Sequence, residues 1–272
     1  MIKSAVTIAL VPQIKTGPWI FWEDLEEGMK KAQNLGFDGI ELFTPSPELM
    51  EIEYLHELLE KYSLELAAVG TGAGKVLHGL TLTDPDPSIR QKAKAFIEGM
   101  IRFGAAFGAP AIIGSMQGHA LPGNSRSQSL NWLKEALKEL GALAASLNTF
   151  LIYEPLNRYE TNLINRLTDG AALLKEGDAK GVKLLADLFH MNIEESDLAE
   201  SIKENASKIG HIHFADSNRS PIGSGHTDMS PIAKVLKESG YSGFISAEAF
   251  PVPNPEEAAK MTIESFTRFF KD

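Results

Sequence analysis

Short runs of apolar, often β-branched residues alternate along the chain with longer stretches in which apolar residues recur at helical spacing. This alternation is typical of repeated strand–helix–strand units around a parallel sheet. The pattern predicts eight strands, at residues 5–10, 39–43, 64–69, 111–114, 150–154, 182–187, 211–215 and 244–248. It predicts eight helices, at residues 22–35, 47–62, 87–107, 128–147, 169–176, 197–208, 231–239 and 255–270.

Eight such units in 272 residues predict an α/β fold, the (β/α)8 TIM barrel, which commonly needs about 250 residues. No linker or close repeat interrupts the pattern, so we expect one domain over residues 1–272. A doubly wound open sheet is the alternative architecture. Its nucleotide-binding turn would require a glycine fingerprint, and the glycine-rich segment 70–75 fits neither the dinucleotide pattern nor the P-loop. This segment, with Thr71 as a candidate substrate contact, is otherwise a loop that allows close backbone approach.

Composition narrows the function. The formal net charge is −10, and this acidic balance disfavours a protein that binds the nucleic-acid backbone, so a small-molecule substrate is expected. The chain has no cysteine, which excludes disulfides, thiol nucleophiles and thiolate metal sites and leaves oxygen and imidazole as metal ligands. The apolar run 5–11 is too short for a signal peptide or a membrane span, and predicts a buried first strand of a cytoplasmic protein.

Four polar residues stand at the ends of the last four predicted strands, one in each unit: Glu154, Asp187, His213 and Glu248. In a (β/α)8 barrel these strand ends converge on one mouth. Three carboxylates that converge without a cation would repel one another, whereas around one divalent ion the same group is stable. Any one of the four could instead form only local hydrogen bonds at a strand end. The set as a whole predicts a metal site.

Three carboxylates and one imidazole suit a hard or borderline divalent cation, with Mn²⁺ foremost and Mg²⁺, Co²⁺ or Zn²⁺ as alternatives. The net negative charge of such a site raises the proton affinity of the least tightly bound carboxylate, which can then act as a base. Loops after barrel strands carry further candidates, namely His190, Arg219 and Glu160, each of which could also be a surface residue or a loop ion pair. His211, two residues before His213, is expected to be buried and hydrogen-bonded.

Four segments carry a family resemblance: residues 154–161, 187–195, 211–219 and 247–248. They resemble the sugar isomerase and epimerase superfamily with a xylose-isomerase-like TIM barrel, and specifically its ketose 3-epimerase branch, which includes the D-psicose and D-tagatose 3-epimerases. Segments 69–72 and 79–83 in the first half are more similar to the 5-keto-L-gluconate epimerases.

The resemblance implies that Glu154, Asp187, His213 and Glu248 bind the metal. It also implies that Glu154 and Glu248 form the acid/base pair. His190, Arg219 and Glu160 would hold the carbonyl end and the hydroxyls of a sugar, and a homodimer or homotetramer is expected. The loop 115–123, with Gln117 and His119 as candidate substrate contacts, departs from what a substrate carboxylate or phosphate would need, because His119 is only conditionally a cation.

Epimerisation beside a ketone needs a proton removed from one face of a carbon and returned to the other, so two carboxylates suffice without a nucleophile or an organic cofactor. The predicted substrate is therefore a ketose or a keto-sugar acid. An aldose–ketose isomerase on the same site is the nearest alternative. A DNA-repair endonuclease of this fold needs more histidines and a basic face than 7 histidines and a charge of −10 supply. A non-catalytic sugar-binding barrel would leave the metal set unexplained.

Overall fold

Parallel strands form the centre of the molecule, as seen in a computed structural model that describes residues 1–14, 16–22 and 24–271. The strands of the described ranges are β1 (Lys3–Ala9), β2 (Phe21–Trp22), β3 (Gly39–Phe43), β4 (Glu65–Gly70), β5 (Ala111–Ile113), β6 (Leu151–Tyr153), β7 (Val182–Asp187), β8 (Ile209–His213) and β9 (Phe244–Ala247). β1 and β3 to β9 pair in chain order, and β1 closes the ring by pairing with β9, with Val6 opposite Ala247. β2 adds only two residues beside β1.

Helices lie between the strands. In the described residues they are α1 (Leu25–Leu35), α2 (Ile52–Tyr62), α3 (Ala73–His78), α4 (Pro87–Ala105), α5 (Arg126–Ser146), α6 (Leu167–Glu176), α7 (Leu188–Glu194), α8 (Leu198–Asn205), α9 (Met229–Glu238) and α10 (Pro255–Phe270). Short 3₁₀ segments occupy Ser115–Gln117 and Ala206–Lys208. Among these ranges, no helix combines the length and apolar character needed to cross a membrane.

The closed barrel confirms the predicted fold class and excludes the open doubly wound sheet. All eight predicted strands are present: those at 39–43 and 182–187 have the predicted ends, and the other six have shifted ends. The pattern missed β2, α3 and α7. The two residues of β2 and the six of α3 are too few to show a period, and α7 begins directly after β7 because the Asp187 side chain caps it.

Successive side chains of each strand point alternately outward, toward the helices, and inward, into the ring of strands. The two sets form two separate packed regions. Outward-facing side chains such as Ile40 and Leu42 join the large core between the strands and the helices. Inside the ring, Ala68, Ile112, Ile152 and Leu185 form a small apolar cluster. Leu185 and Asp187 share the inward face of β7, so the polar residues at the carboxyl ends of the strands lie above this apolar layer.

Candidate active site and metal centre

The structure brings together the four strand-end residues that the sequence singled out. Asp187 and His213 end β7 and β8, while Glu154 and Glu248 directly follow β6 and β9. Each of the four offers one ligand atom, and these atoms all lie within 4.8 Å of one another. Glu154 is 5% exposed, and Asp187 and His213 are each 1% exposed, so three of the four are almost shielded from solvent.

His213 is at the centre of the cluster and turns its two ring nitrogens to different partners. Its Nδ1 lies 3.2 Å from Asp187 Oδ2, 3.4 Å from Glu154 Oε1 and 3.6 Å from Glu248 Oε2. Its Nε2 lies 3.2 Å from Glu41 Oε1 on β3. Nδ1 therefore faces the three carboxylates that the sequence assigned to a metal, and Nε2 faces away from them.

This donor set fits a divalent cation. The buried Glu154 Oε1 accepts no hydrogen bond from any described residue, and a buried acceptor without a partner is costly. Burial raises the pKa of the Glu248 carboxyl to about 7, and the charges of Glu154 and Asp187 add to this rise. A cation among the carboxylates would satisfy the free oxygen and relieve the repulsion that raises this pKa.

Asp187 links the cluster to the first turn of α7. Its Oδ1 accepts hydrogen bonds from the backbone N–H groups of Phe189 at 2.8 Å and His190 at 3.0 Å. These bonds cap α7 and leave Oδ2 for the cluster. Although burial opposes ionisation, His190 and His213 hold the pKa of Asp187 below its usual range. The sequence from Asp187 to His190 thus sets a ligand and a neighbouring imidazole on one rigid turn.

The hydrogen-bond network fixes the proton of His190. Asn157 Oδ1 accepts from the Tyr159 backbone N–H, so its Nδ2 is the donor that lies 2.7 Å from His190 Nδ1 and 3.1 Å from Glu160 Oε1. His190 Nδ1 is then an acceptor, and the proton of the neutral ring is on Nε2. This buried Nε2 has no hydrogen-bond partner among the described residues and lies 3.8 Å from Glu154 Oε1. It is a free donor at the cluster.

Arg219 connects two of the acidic residues. Its Nη2 donates to Glu248 Oε2 at 2.8 Å and its Nη1 donates to Glu160 Oε1 at 3.2 Å. The guanidinium also lies over the Phe189 ring, 4.9 Å from the ring centre. Burial opposes its charge, but Glu248 and Asp187 raise the pKa of Arg219 further above its ordinary value. Its buried Nε has no partner in the described part of the chain.

Asp216 shapes the loop that carries Arg219. Its Oδ1 accepts from the backbone N–H groups of Ser217 at 2.7 Å and Thr227 at 3.0 Å, and its Oδ2 accepts from Gly223 N–H at 2.8 Å. Burial raises its pKa, but these backbone donors prevail and lower the pKa of Asp216 to about 2. The loop holds Arg219 in the left-handed region at φ 59°, which a non-glycine residue seldom adopts. The sequence analysis had not singled out Asp216.

A cavity of about 180 Å³ opens at the cluster. Its lining includes Glu154, His190, His213, Glu248, Arg219, Glu160 and Glu41 on the polar side and Trp19, Phe43, Val76 and Leu156 on the apolar side. The Trp19 and Phe43 rings are 4.2 Å apart, which gives the cavity an aromatic wall. A larger cavity of about 550 Å³ lies at the opposite end of the barrel, and the carboxylate cluster does not line it.

Two other predicted substrate contacts have hydrogen bonds within the barrel wall. Thr71 lines the cavity, while its hydroxyl donates to the Ile112 carbonyl at 2.7 Å. Gln117 is fully buried behind the lining, where its Nε2 donates to the Glu154 carbonyl at 2.9 Å and its Oε1 accepts from the Tyr153 hydroxyl at 2.8 Å. The structure therefore brings Gln117 to the backbone of Glu154 rather than to the cavity surface.

His119 and Lys75 lie at the rim, beside Glu160. The His119 ring is half-buried and hydrogen-bonds the Glu160 backbone, and burial and the charge of Lys75 lower the pKa of His119. His119 is not part of the cavity lining. Burial lowers the pKa of Lys75, and no described carboxylate forms an ion pair with its ammonium. Lys75 lies on α3 between the lining residues Gly72 and Val76, and the sequence analysis had not counted it as a site residue.

Glu41 is a third residue, after Asp216 and Lys75, that the sequence analysis missed. It lies on the inward face of β3, is 4% exposed, and has His211 Nε2 2.8 Å from its Oε2. Burial opposes its ionisation, but His213 and His211 hold the pKa of Glu41 below its usual range. His211 is 1% exposed and hydrogen-bonded, as expected. The sequence did carry a signal for Glu41, because it is the single charged residue in the otherwise apolar predicted strand 39–43.

The model of the xylose isomerase-like TIM barrel family matches residues 29–269. The chain belongs to this family. Among its relatives in the family, D-psicose 3-epimerase of Ruminiclostridium cellulolyticum is 30% identical over 242 residues, covering 84% of this chain and 80% of the relative. The 3-dehydro-D-guloside 4-epimerase of Escherichia coli is 37% identical over 116 residues, covering 43% of this chain and 44% of the relative.

Solved structures agree on the fold of this family member. The structure of an L-ribulose 3-epimerase superposes with a TM-score of 0.84 at 22% identity, covering 100% of this chain and 95% of the other. At that identity the likeness concerns the barrel itself.

Proposed function

We propose that this protein is a metal-dependent sugar epimerase that inverts a carbon next to the ketone of a ketose or keto-sugar acid. The observation that carries the proposal is the convergence of Glu154 and Glu248 with Asp187 and His213 in one buried cluster beside a cavity. The curated relatives named above are themselves sugar epimerases, which places the proposed reaction among the isomerases.

Glu154, Asp187, His213 and Glu248 would hold one divalent ion. When bound, such an ion supplies Lewis-acid polarisation of a substrate carbonyl. Glu154 and Glu248 are the acid and base of the proposal: one removes the proton on the carbon beside the ketone, and the other returns a proton to the opposite face. Both carboxyls line the cavity, where a bound sugar would lie between them and the solvent.

His190 and Arg219 are proposed to hold the oxygens of the sugar. His190 Nε2–H and Arg219 Nε–H are buried donors without a partner among the described residues, so substrate oxygens would satisfy both. Glu160, fixed by Asn157 and Arg219, offers an acceptor for a hydroxyl. The rings of Trp19 and Phe43 provide an apolar face for the carbon side of the sugar.

An aldose–ketose isomerase would use the same groups, but would move the proton between two carbons instead of returning it to its own. The relatives favour epimerisation: by their names, one inverts C3 and the other inverts C4. A panel of ketohexoses, keto-sugar acids and ketose phosphates incubated in D₂O with Mn²⁺ tests the proposal. We expect deuterium at the inverted carbon, which is C3 in a 2-ketose, together with the epimeric product. Aldose formation without that exchange would contradict it.

The identity of the native ion, the assembly and the cellular location are proposals as well. Mn²⁺ is the proposed native ion, because oxygen donors with one imidazole suit it, and metal analysis of the purified protein tests this. A homodimer or homotetramer in the cytoplasm is the proposed state, and light scattering on the eluting protein measures the assembly. Recovery of a monomer would contradict the proposed assembly and leave the proposed reaction unaffected.

A further inference from the structure

Glu41 is a buried carboxylate that the proposed reaction does not use. Its two oxygens have different partners: Oε1 lies 3.2 Å from His213 Nε2, and Oε2 lies 2.8 Å from His211 Nε2. Glu41 is 4% exposed, and each histidine is 1% exposed. The three side chains come from β3 and β8 on opposite parts of the barrel, so their contact crosses its interior.

A carboxylate oxygen lies 3.2 Å from each ring nitrogen of His213, Asp187 Oδ2 at Nδ1 and Glu41 Oε1 at Nε2. The contact with Glu41 therefore selects the position of the ring proton once Nδ1 faces a metal ion. A carboxylate only accepts hydrogen bonds, so the neutral ring must place its proton on Nε2 to bond Glu41. Nδ1 then has a free lone pair, and it is Nδ1 that lies 3.2–3.6 Å from the oxygens of Asp187, Glu154 and Glu248. The opposite tautomer would present an N–H to the ion and leave Glu41 Oε1 facing a bare nitrogen.

We infer that Glu41 is a positioning residue that holds His213 in the Nε2–H tautomer, with Nδ1 free to bind the metal, and that His211 anchors Glu41 for this task. The inference rests on the proposed metal site. It concerns a residue on a different strand from all four proposed ligands. Carboxylates that orient a metal-binding imidazole in this way typically affect metal affinity by about 10- to 100-fold.

A second arrangement of the same atoms is possible in principle, because Glu41, His211 and His213 also lie close enough to share an ion. The 2.8 Å distance from His211 Nε2 to Glu41 Oε2 is that of a hydrogen bond, the contact that the positioning role requires. The positioning role therefore predicts one metal equivalent per chain, whereas a shared ion predicts two.

The test titrates Mn²⁺ into the metal-free protein and its variants by calorimetry. Glu41→Gln keeps an acceptor for His213 Nε2–H without the charge, and Glu41→Leu removes the acceptor. We expect one equivalent in the wild type, a Kd raised about 10- to 100-fold in Glu41→Leu, and a smaller rise in Glu41→Gln. The matched control is Leu42→Ala, which removes a fully buried side chain from the outward face of the same strand. It should lower stability and leave Kd unchanged.

Nitrogen NMR of the His213 ring in the Zn²⁺-loaded protein gives a readout that is independent of turnover. We expect Nδ1 to bind Zn²⁺ and the Nε2 proton to be hydrogen-bonded and slow to exchange with water in the wild type. In Glu41→Leu this proton should lose its hydrogen bond and exchange faster, or the ring should turn so that Nε2 binds the ion instead. Unchanged Kd and an unchanged Nε2 proton signal in both Glu41 variants would overturn the inference, and so would a second equivalent that Glu41→Gln removes. If Glu41→Leu does not fold, Glu41→Gln and His211→Gln carry the test. A wild type that binds no divalent metal would instead overturn the proposed function.

Discussion

Arg219 and Glu248 are joined by a 2.8 Å hydrogen bond from Nη2 to Oε2, which ties the loop after β8 to the loop after β9 at the mouth of the barrel. The same guanidinium reaches Glu160 through Nη1. One cation thus orients a proposed proton-transfer group and a proposed hydroxyl acceptor. The planar fork of an arginine suits this double contact, which the single ammonium of a lysine cannot reproduce.

Arg219→Lys should therefore lower kcat/KM by about 10- to 100-fold, the loss expected when a hydrogen bond between charged groups is removed. Because lysine keeps a positive charge beside Glu248 and no proposed ligand is replaced, Mn²⁺ affinity should change less than kcat/KM. Steady-state kinetics and a metal titration on the same preparation check both statements. Equal kcat/KM in the two proteins would show that the double contact does not matter for turnover.

Glu154→Gln and Glu248→Gln should each lower kcat by about 10²- to 10⁴-fold at saturating metal, because each removes a group that transfers a proton. If the two carboxylates serve opposite faces of the carbon, each variant should still exchange the proton of one epimer with D₂O. Circular dichroism confirms that the variants fold. Full turnover in both variants would refute the assignment of the two bases.

Exhaustive chelation should abolish turnover and lower the melting temperature, because an ion that binds only the folded state stabilises it by mass action. Restoring Mn²⁺ should reverse both effects. Calorimetric scans of the chelated and reloaded protein, with activity assayed on the same samples, make the comparison. Chelated protein that keeps full activity would contradict the metal requirement.

The fold and the central cluster were both predictable from the sequence, for one physical reason. A barrel strand places its last residue at the mouth, so the positions of Glu154, Asp187, His213 and Glu248 followed once the strands were located. Their distances to one another did not follow, since these depend on side-chain conformations that no pattern encodes.

Contacts across the barrel were not predictable. Glu41 and His213 are far apart in sequence and meet only because β3 and β8 face each other inside the closed ring. Gln117 was noticed in the sequence, but its contacts were not predicted. Its position in a loop after a strand suggested a substrate contact, whereas its side-chain amide hydrogen-bonds the Glu154 carbonyl and the Tyr153 hydroxyl. Sequence position located the loop without indicating which way the side chain turns.

The lowered pKa of Asp216 predicts that the loop carrying Arg219 contributes less stability in acid. Its pKa is lowered to about 2 in the folded protein, against about 3.9 in an unfolded chain, so its stabilising effect is present above about pH 4 and is lost as the pH falls through about 2. Asp216→Asn should lower the free energy of unfolding by about 1.5–3 kcal/mol near pH 7 and by less at pH 2. Urea unfolding across this pH range measures the difference. Asp169→Asn, which changes an exposed residue on α6, serves as the control and should have little effect.

The position of Lys75 predicts that the protein prefers sugars with a negatively charged end. Its half-buried ammonium lies beside His119 and Glu160 at the rim and forms no ion pair with a described carboxylate, so an anionic substrate end could pair with it. Lys75→Met should raise KM for a keto-sugar acid by about 10-fold or more, since a charged hydrogen bond contributes about 1.5–3 kcal/mol, and should change KM for a neutral ketose little. Lys260→Met removes the same charge from an exposed position on α10 and should alter neither KM. The ratio of the two KM values, measured in all three proteins, is the decisive quantity. An unchanged ratio in Lys75→Met would mean that this ammonium does not bind the far end of the substrate.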